Sequence, residues 1–213
     1  MNETTRRIKQ PYFFFTGYLF FFILGLLLLA AKGKVGSFIA LNSFHKSWLD
    51  NFFIIYTYVG DGLFVVALSL LLFFVFSKRK LGLTLFIAYA STGILAQVIK
   101  PIVESPRPQT YFAPQWLPFF IRDVIHIGTS SFPSGHTVSA FAAATVVALF
   151  IQNKWLQVVL LLLAILVGFS RVYLSQHFLI DVLAGSFIGV GGGMLCVHWC
   201  RNMSEEKLGF KKR

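Results

Sequence analysis

Hydrophobic and polar residues fall in long blocks along this chain rather than in a period of two. Six apolar runs, at about 12–31, 52–76, 81–99, 135–152, 155–172 and 178–199, are separated by polar stretches. Each is close to the ~20 residues that an α-helix needs to cross the hydrocarbon of a bilayer. A segment in lipid must satisfy its own backbone hydrogen bonds, so the runs predict helices. The expectation is an all-α fold: six transmembrane helices bundled into one domain over residues 1–213. The basic segment MNETTRRIKQ before the first run has the charge of a signal peptide. The run itself is too long for one and lacks a small-residue cleavage site, so it is expected to remain as the first span.

The connections differ in length. Those after the second and fourth runs are a few residues, which makes spans two and three, and four and five, packed neighbours. The stretch 32–51 mixes apolar, aromatic and polar residues and predicts a short helix lying in the interface, with His45 and Lys46 as anchors. The stretch 100–133 is the longest and holds six of the chain's seven prolines, so it is expected to form an ordered cap loop. Glycines at 185, 189 and 193 make a smooth stripe on the sixth helix, suited to close helix packing.

Composition agrees with a membrane protein. Hydrophobic residues make up 56% of the chain and charged residues 13%, against about 25% charged in a soluble domain. The formal charge of +11 raises the question of nucleic acid. No nucleic-acid module is present, and the basic residues sit at the ends of the apolar runs, where topology puts them. They suit anionic lipids as partners. With six spans both termini share a side. Twelve Lys and Arg fall on that side and seven on the other, so the termini are expected in the cytoplasm. Cys196 and Cys200, four apart, read as small buried hydrophobes rather than a disulfide or a metal site. The oligomeric state is left open.

Charged groups at a membrane edge are functional candidates by default. Lys100 ends the third run and Arg107 follows in KPIVESPRP. Ser134, Gly135 and His136 open the fourth in PSGH. Arg171 ends the fifth, and His177 and Asp181 open the sixth, in SRVYLSQHFLID. All belong to the side opposite the termini. His177 and Asp181 are four apart, so one helical turn brings them together. A carboxylate on one imidazole nitrogen fixes the tautomer and leaves the other nitrogen as a nucleophile. His136, from another helix, is placed to act as general acid. Lys100, Arg107 and Arg171 supply charge for an anion, the arginines with a fork that matches phosphate. Ser134 and the N–H groups of Gly135 and His136 form a helix N-terminus, a ready phosphate site. This set describes phosphoryl transfer in which cations take the place of a metal, so no metal or cofactor is expected. Arg122 and His126, with Asp123, are candidates for a secondary role at a second phosphate or a headgroup. Asp61, in YVGDG at the outer part of span two, either faces the pocket or bonds a neighbouring helix.

These motifs resemble the three-part signature of the type 2 phosphatidic acid phosphatase family. Lys100 with Arg107 and Pro108 fits the first part, Pro133 to His136 the second, and Ser170, Arg171, His177 and Asp181 the third. The resemblance covers nearly the whole chain and implies a membrane-bound lipid phosphatase related to bacterial acid phosphatases and vanadium haloperoxidases. It further implies that His177 forms a phosphohistidine, that Asp181 orients it, and that His136 protonates the leaving oxygen. Lys100, Arg107, Ser134, Gly135 and Arg171 would hold the phosphate. The implied site faces away from the cytoplasm, in the inner membrane of a bacterium. The substrates it suggests are undecaprenyl pyrophosphate, phosphatidic acid or phosphatidylglycerol phosphate, with lipid A phosphate as the alternative. A lipid-phosphate transporter is the rival of another class. It would need polar positions near mid-membrane, whereas here the charges gather at one edge.

Overall fold

Each of the six apolar runs is helical in the computed structural model, which describes residues 11–112, 130–201 and 203. In chain order the helices are α1 (Tyr12–Asn42), α2 (Ser47–Tyr56), α3 (Gly62–Leu70), α4 (Arg79–Val103), the single turn α5 (Pro108–Tyr111), α6 (Gly135–Phe150), α7 (Lys154–Tyr173) and α8 (Leu179–Cys200). No strand occurs among the described residues. Helices α1, α4, α7 and α8 are each long and apolar enough to span a membrane, and the chain is an integral membrane protein.

Two runs depart from straight spans. The second is broken: α2 and α3 meet at an angle of 55° across a 3-10 turn, Thr57–Gly60, and count as one span only as a bent pair. Asp61 causes the restart. It is extended (φ −72°, ψ 147°), and its Oδ1 accepts the Leu63 N–H at 2.8 Å, which caps α3. The fourth run gives α6, which at 16 residues is shorter than α1, α4, α7 and α8. At 1.5 Å per residue it covers roughly 24 Å, less than the hydrocarbon core. It does not face lipid as the others do. Ten of its residues are buried, among α4, α7 and α8.

α6 and α8 approach each other closely. A Cβ at Gly185 would lie 2.8 Å from the Ser134 carbonyl oxygen, and one at Gly189 would lie 2.6 Å from that of Val138. The predicted glycine stripe is therefore a backbone-to-backbone seam. Phe141 of α6 stacks on Phe21 of α1 at 5.7 Å, tying the first span to the same core.

The stretch 32–51 differs from its expectation. α1 runs on to Asn42 through a break at Gly33 (φ 66°), and α2 begins at Ser47. The extension is held by packing rather than by an interface: Phe38 is fully buried against Phe178, Val172 and Val182. His45 is likewise no surface anchor. Its side chain is buried, stacked on Tyr173 at 4.0 Å, with Nδ1 2.8 Å from Asp50 Oδ1. Most of the expected cap loop lies outside the described residues. Its ends are tied by the Ser131 N–H donating to the Ser105 carbonyl at 2.7 Å. Both cysteines are buried and unpaired.

Candidate active site

The site is assembled at one end of the bundle by the starts of α6 and α8 and the ends of α4 and α7. Between α7 and α8 the chain makes a turn in which the N–H groups of Gln176 and His177 both donate to the Arg171 carbonyl, at 2.9 and 3.2 Å. One residue thus presents a guanidinium and shapes the turn that carries His177. The first turn of α8 is closed by Asp181, whose Oδ2 accepts the Phe178 N–H at 2.9 Å. The same oxygen lies 3.5 Å from His177 Nδ1. That separation exceeds an ordinary hydrogen bond, and neither His177 Nδ1 nor Asp181 Oδ1 has a partner among the described residues. Both side chains are almost wholly buried, and in unliganded sites such contacts tighten when substrate binds. Nδ1 is the nitrogen that faces the carboxylate, so Nε2 is the one left to react.

Burial pushes the His177 imidazole down to about 4, with Arg171 and Arg107 acting in the same direction and Asp181 opposing them. The shift favours the neutral ring, the form in which an imidazole can act as a nucleophile.

The PSGH turn meets this pair through the backbone. The Ser134 N–H donates to the Asp181 carbonyl at 3.1 Å. The Ser134 hydroxyl does not cap α6; it accepts from Thr137 Oγ1 at 2.8 Å and keeps its own proton to donate. A Cβ at Gly135 would meet nothing within 4 Å, so the glycine borders open space at the helix start. His136 is about a third exposed at the same place, its Nε2 3.8 Å from Asp61 Oδ2.

The cations converge on the same point. Arg107 is buried, and its Nη1 donates to the Gln176 carbonyl, next to His177, at 3.3 Å. Burial lowers its affinity for the proton and Asp181 restores part of it. Arg171 is buried with Nη1 on the Thr57 hydroxyl, while its Nε has no partner among the described residues. Lys100 is half-buried and lies in the electrostatic field of both arginines. A buried guanidinium with an unfilled donor needs an anion, since a buried charge is costly without one.

Lys100, Arg107, Ser134, Gly135, His136, Arg171, His177 and Asp181 are thus brought together. Asp61 faces His136 across 3.8 Å, while the hydrogen bond it accepts comes from Leu63, in the helix that it caps. Ser170 turns away and donates to the Val167 carbonyl of its own helix at 2.6 Å. Arg122, Asp123 and His126 lie outside the described residues. Sequence reasoning missed Thr57 and Asn42. Asn42 is fully buried, and its Nδ2 approaches the carbonyls of Val172 and Tyr173 and the Ser175 hydroxyl at 3.0, 2.7 and 3.1 Å. A lone asparagine in an apolar stretch was the available signal.

The family model of the PAP2 superfamily matches residues 81–204, more than half of the chain. Phosphatidylglycerophosphatase B of Bacillus subtilis (strain 168) is 30% identical over 157 residues, 68% of this chain and 72% of the relative. Undecaprenyl-diphosphatase BcrC of the same organism is 30% identical over 159 residues, 72% of this chain and 76% of the relative. The crystal structure of a transmembrane PAP2 type phosphatidylglycerolphosphate phosphatase from Bacillus subtilis superposes with a TM-score of 0.65 at 25% identity, over 91% of this chain and 98% of that one.

Proposed function

The chain belongs to the PAP2 superfamily, and from that premise we propose that it is a lipid phosphatase acting through a phosphohistidine on His177. The observation that carries the proposal is the hydrogen-bonded joining of three segments around one histidine: Ser134 to Asp181, Arg107 to Gln176, and His177 to Arg171.

In the first step His177 Nε2 attacks phosphorus, and the bond from phosphorus to the lipid-side oxygen breaks. His136 gives that oxygen its proton. The leaving group is a lipid alcohol from a monoester, or a lipid monophosphate from a diphosphate. In the second step a water attacks the phosphohistidine, its proton passes to His136, and inorganic phosphate leaves with His177 restored. Lys100, Arg107, Arg171, Ser134 and the first N–H groups of α6 offset the charge on the phosphoryl oxygens throughout. Asp181 keeps the His177 ring oriented.

The substrate is a phosphate whose lipid tail stays in the bilayer. Glycerophospholipid phosphates and polyprenyl diphosphates are both supported by the relatives, the first by the phosphatidylglycerophosphatase and the second by the undecaprenyl-diphosphatase. The site faces away from the cytoplasm. Once Lys100, Arg107 and Arg171 are given to phosphate, four basic residues remain on that side against twelve on the other.

Phosphate release from a panel of lipid phosphates in detergent, with His177→Ala as the blank, tests this reading. One lipid class turned over by the wild type and not by the variant supports it. Turnover that survives in His177→Ala contradicts it and returns the site to mere binding, as in a transporter.

A further inference from the structure

We propose that the break in the second span, Thr57–Asp61, is a further wall of the active site, in which Asp61 positions His136 and Thr57 positions Arg171. The inference rests on the phosphatase reading. Its residues precede the segment matched by the family model, which starts at 81.

The observations are independent of one another. Arg171 Nη1 donates to Thr57 Oγ1, and both residues are buried. Four residues on, Asp61 uses one oxygen to cap α3 and turns the other to within 3.8 Å of His136 Nε2. Among the described residues it is the carboxylate that comes within 4 Å of that ring. The intervening Gly60 makes the approach possible: a Cβ there would lie 2.9 Å from the His136 carbonyl oxygen and 2.5 Å from Val167 Cγ1. Asp61 lies at the 55° bend itself, between the helical stretches that end at Gly60 and begin at Gly62.

The arrangement repeats the logic of His177 and Asp181 on the second histidine. His136 must hold a proton beside Arg171, Lys100, Arg107 and His177, all of which act on its charge. A facing carboxylate offsets that repulsion and fixes the ring until the leaving oxygen takes the proton. Asp61 also lies in the electrostatic field of Arg171. Thr57 acts differently. It occupies one nitrogen of the Arg171 fork and aims the remaining donors at the phosphate.

Two near-isosteric variants test this, each with a readout that a structural role would not move. Asp61→Asn keeps an acceptor to cap α3 and removes the charge. A proton donor matters most for a poor leaving group, so its turnover should fall at least ~10-fold on an alkyl lipid phosphate. On a tail-bearing aryl phosphate, whose phenolate leaves unaided, the loss should be far smaller. Thr57→Val should weaken inhibition by inorganic phosphate about 10-fold, and Thr57→Ser should restore it. Wild-type behaviour of both variants, or an equal loss on both ester types by Asp61→Asn, overturns the inference. With His177→Ala inactive, the phosphatase reading survives that failure. Activity in His177→Ala removes both.

Discussion

The Ser134 N–H donates to the carbonyl of Asp181 at 3.1 Å. Asp181, proposed to orient the nucleophile, is therefore joined through its own backbone to the turn proposed to receive the phosphate. The bond exists because α6 and α8 touch at backbone distance beside Gly185, four residues after Asp181. In Gly185→Ala the new methyl would press on the Ser134 carbonyl oxygen. Overpacking of this kind costs about 1–3 kcal/mol. Misplacing a catalytic turn by an ångström costs up to roughly 10²-fold in rate. The variant should melt lower in detergent and lose turnover at temperatures where it is still folded. Gly191→Ala, where a Cβ meets nothing within 4 Å, should match the wild type in both assays.

Asn42 should matter although it lies far from His177 in sequence. Its amide approaches two carbonyls and a hydroxyl in the stretch between Arg171 and His177. Asn42→Ala takes its donor from both carbonyls; Val172 keeps the Ser175 N–H at 3.0 Å, so the loss falls on Tyr173, at about 1–3 kcal/mol. A lowered melting temperature with a reduced kcat is expected. Asn42→Asp should be worse, because a carboxylate oxygen would face the same carbonyls. Full activity in Asn42→Ala would mean that the turn holds its shape unaided.

The buried His177 ring should titrate near 4 rather than at its ordinary 6.5. An NMR titration of imidazole nitrogens in detergent, assigned with His177→Ala, reads this directly. Asp181 acts to raise the value, so Asp181→Asn should move the midpoint lower still. The unfolded chain binds this proton more readily, so His177 contributes stability that is present above 6.5 and declines as pH falls toward about 4. A midpoint near 6.5 would mean that the ring is solvated.

Turnover should be indifferent to chelators. Among the described residues no three His, Cys, Asp or Glu side chains lie where they would hold a metal, and Lys100 lies in the field of Arg107 and Arg171. Prolonged dialysis against EDTA should leave kcat unchanged, and orthovanadate should inhibit competitively. Activity lost to EDTA and restored by a divalent cation would contradict the cation-only account.

Much of this architecture was legible because lipid leaves few alternatives. A run of about 20 apolar residues has to be a helix, and His177 with Asp181 at a spacing of four has to be neighbours. The rest depended on long-range packing, which leaves no periodic trace. The glycines of YVGDG did not announce a 55° break. Thr57 looked like any threonine in an apolar run until Arg171, 114 residues later, was found on its hydroxyl. The stretch after Gly33 looked amphipathic enough for an interface, and only the burial of Phe38 and Asn42 against α7 and α8 explains why it docks instead.

The measurement that bears most directly on the account is capture of the covalent intermediate. Enzyme mixed briefly with a lipid substrate carrying radiolabelled phosphate is quenched in alkali, where phosphohistidine survives, and then digested. The label should map to the peptide containing His177, disappear on acid treatment, and be absent from His177→Ala. Label on any other residue, or turnover by His177→Ala at the wild-type rate, would contradict His177 as the nucleophile.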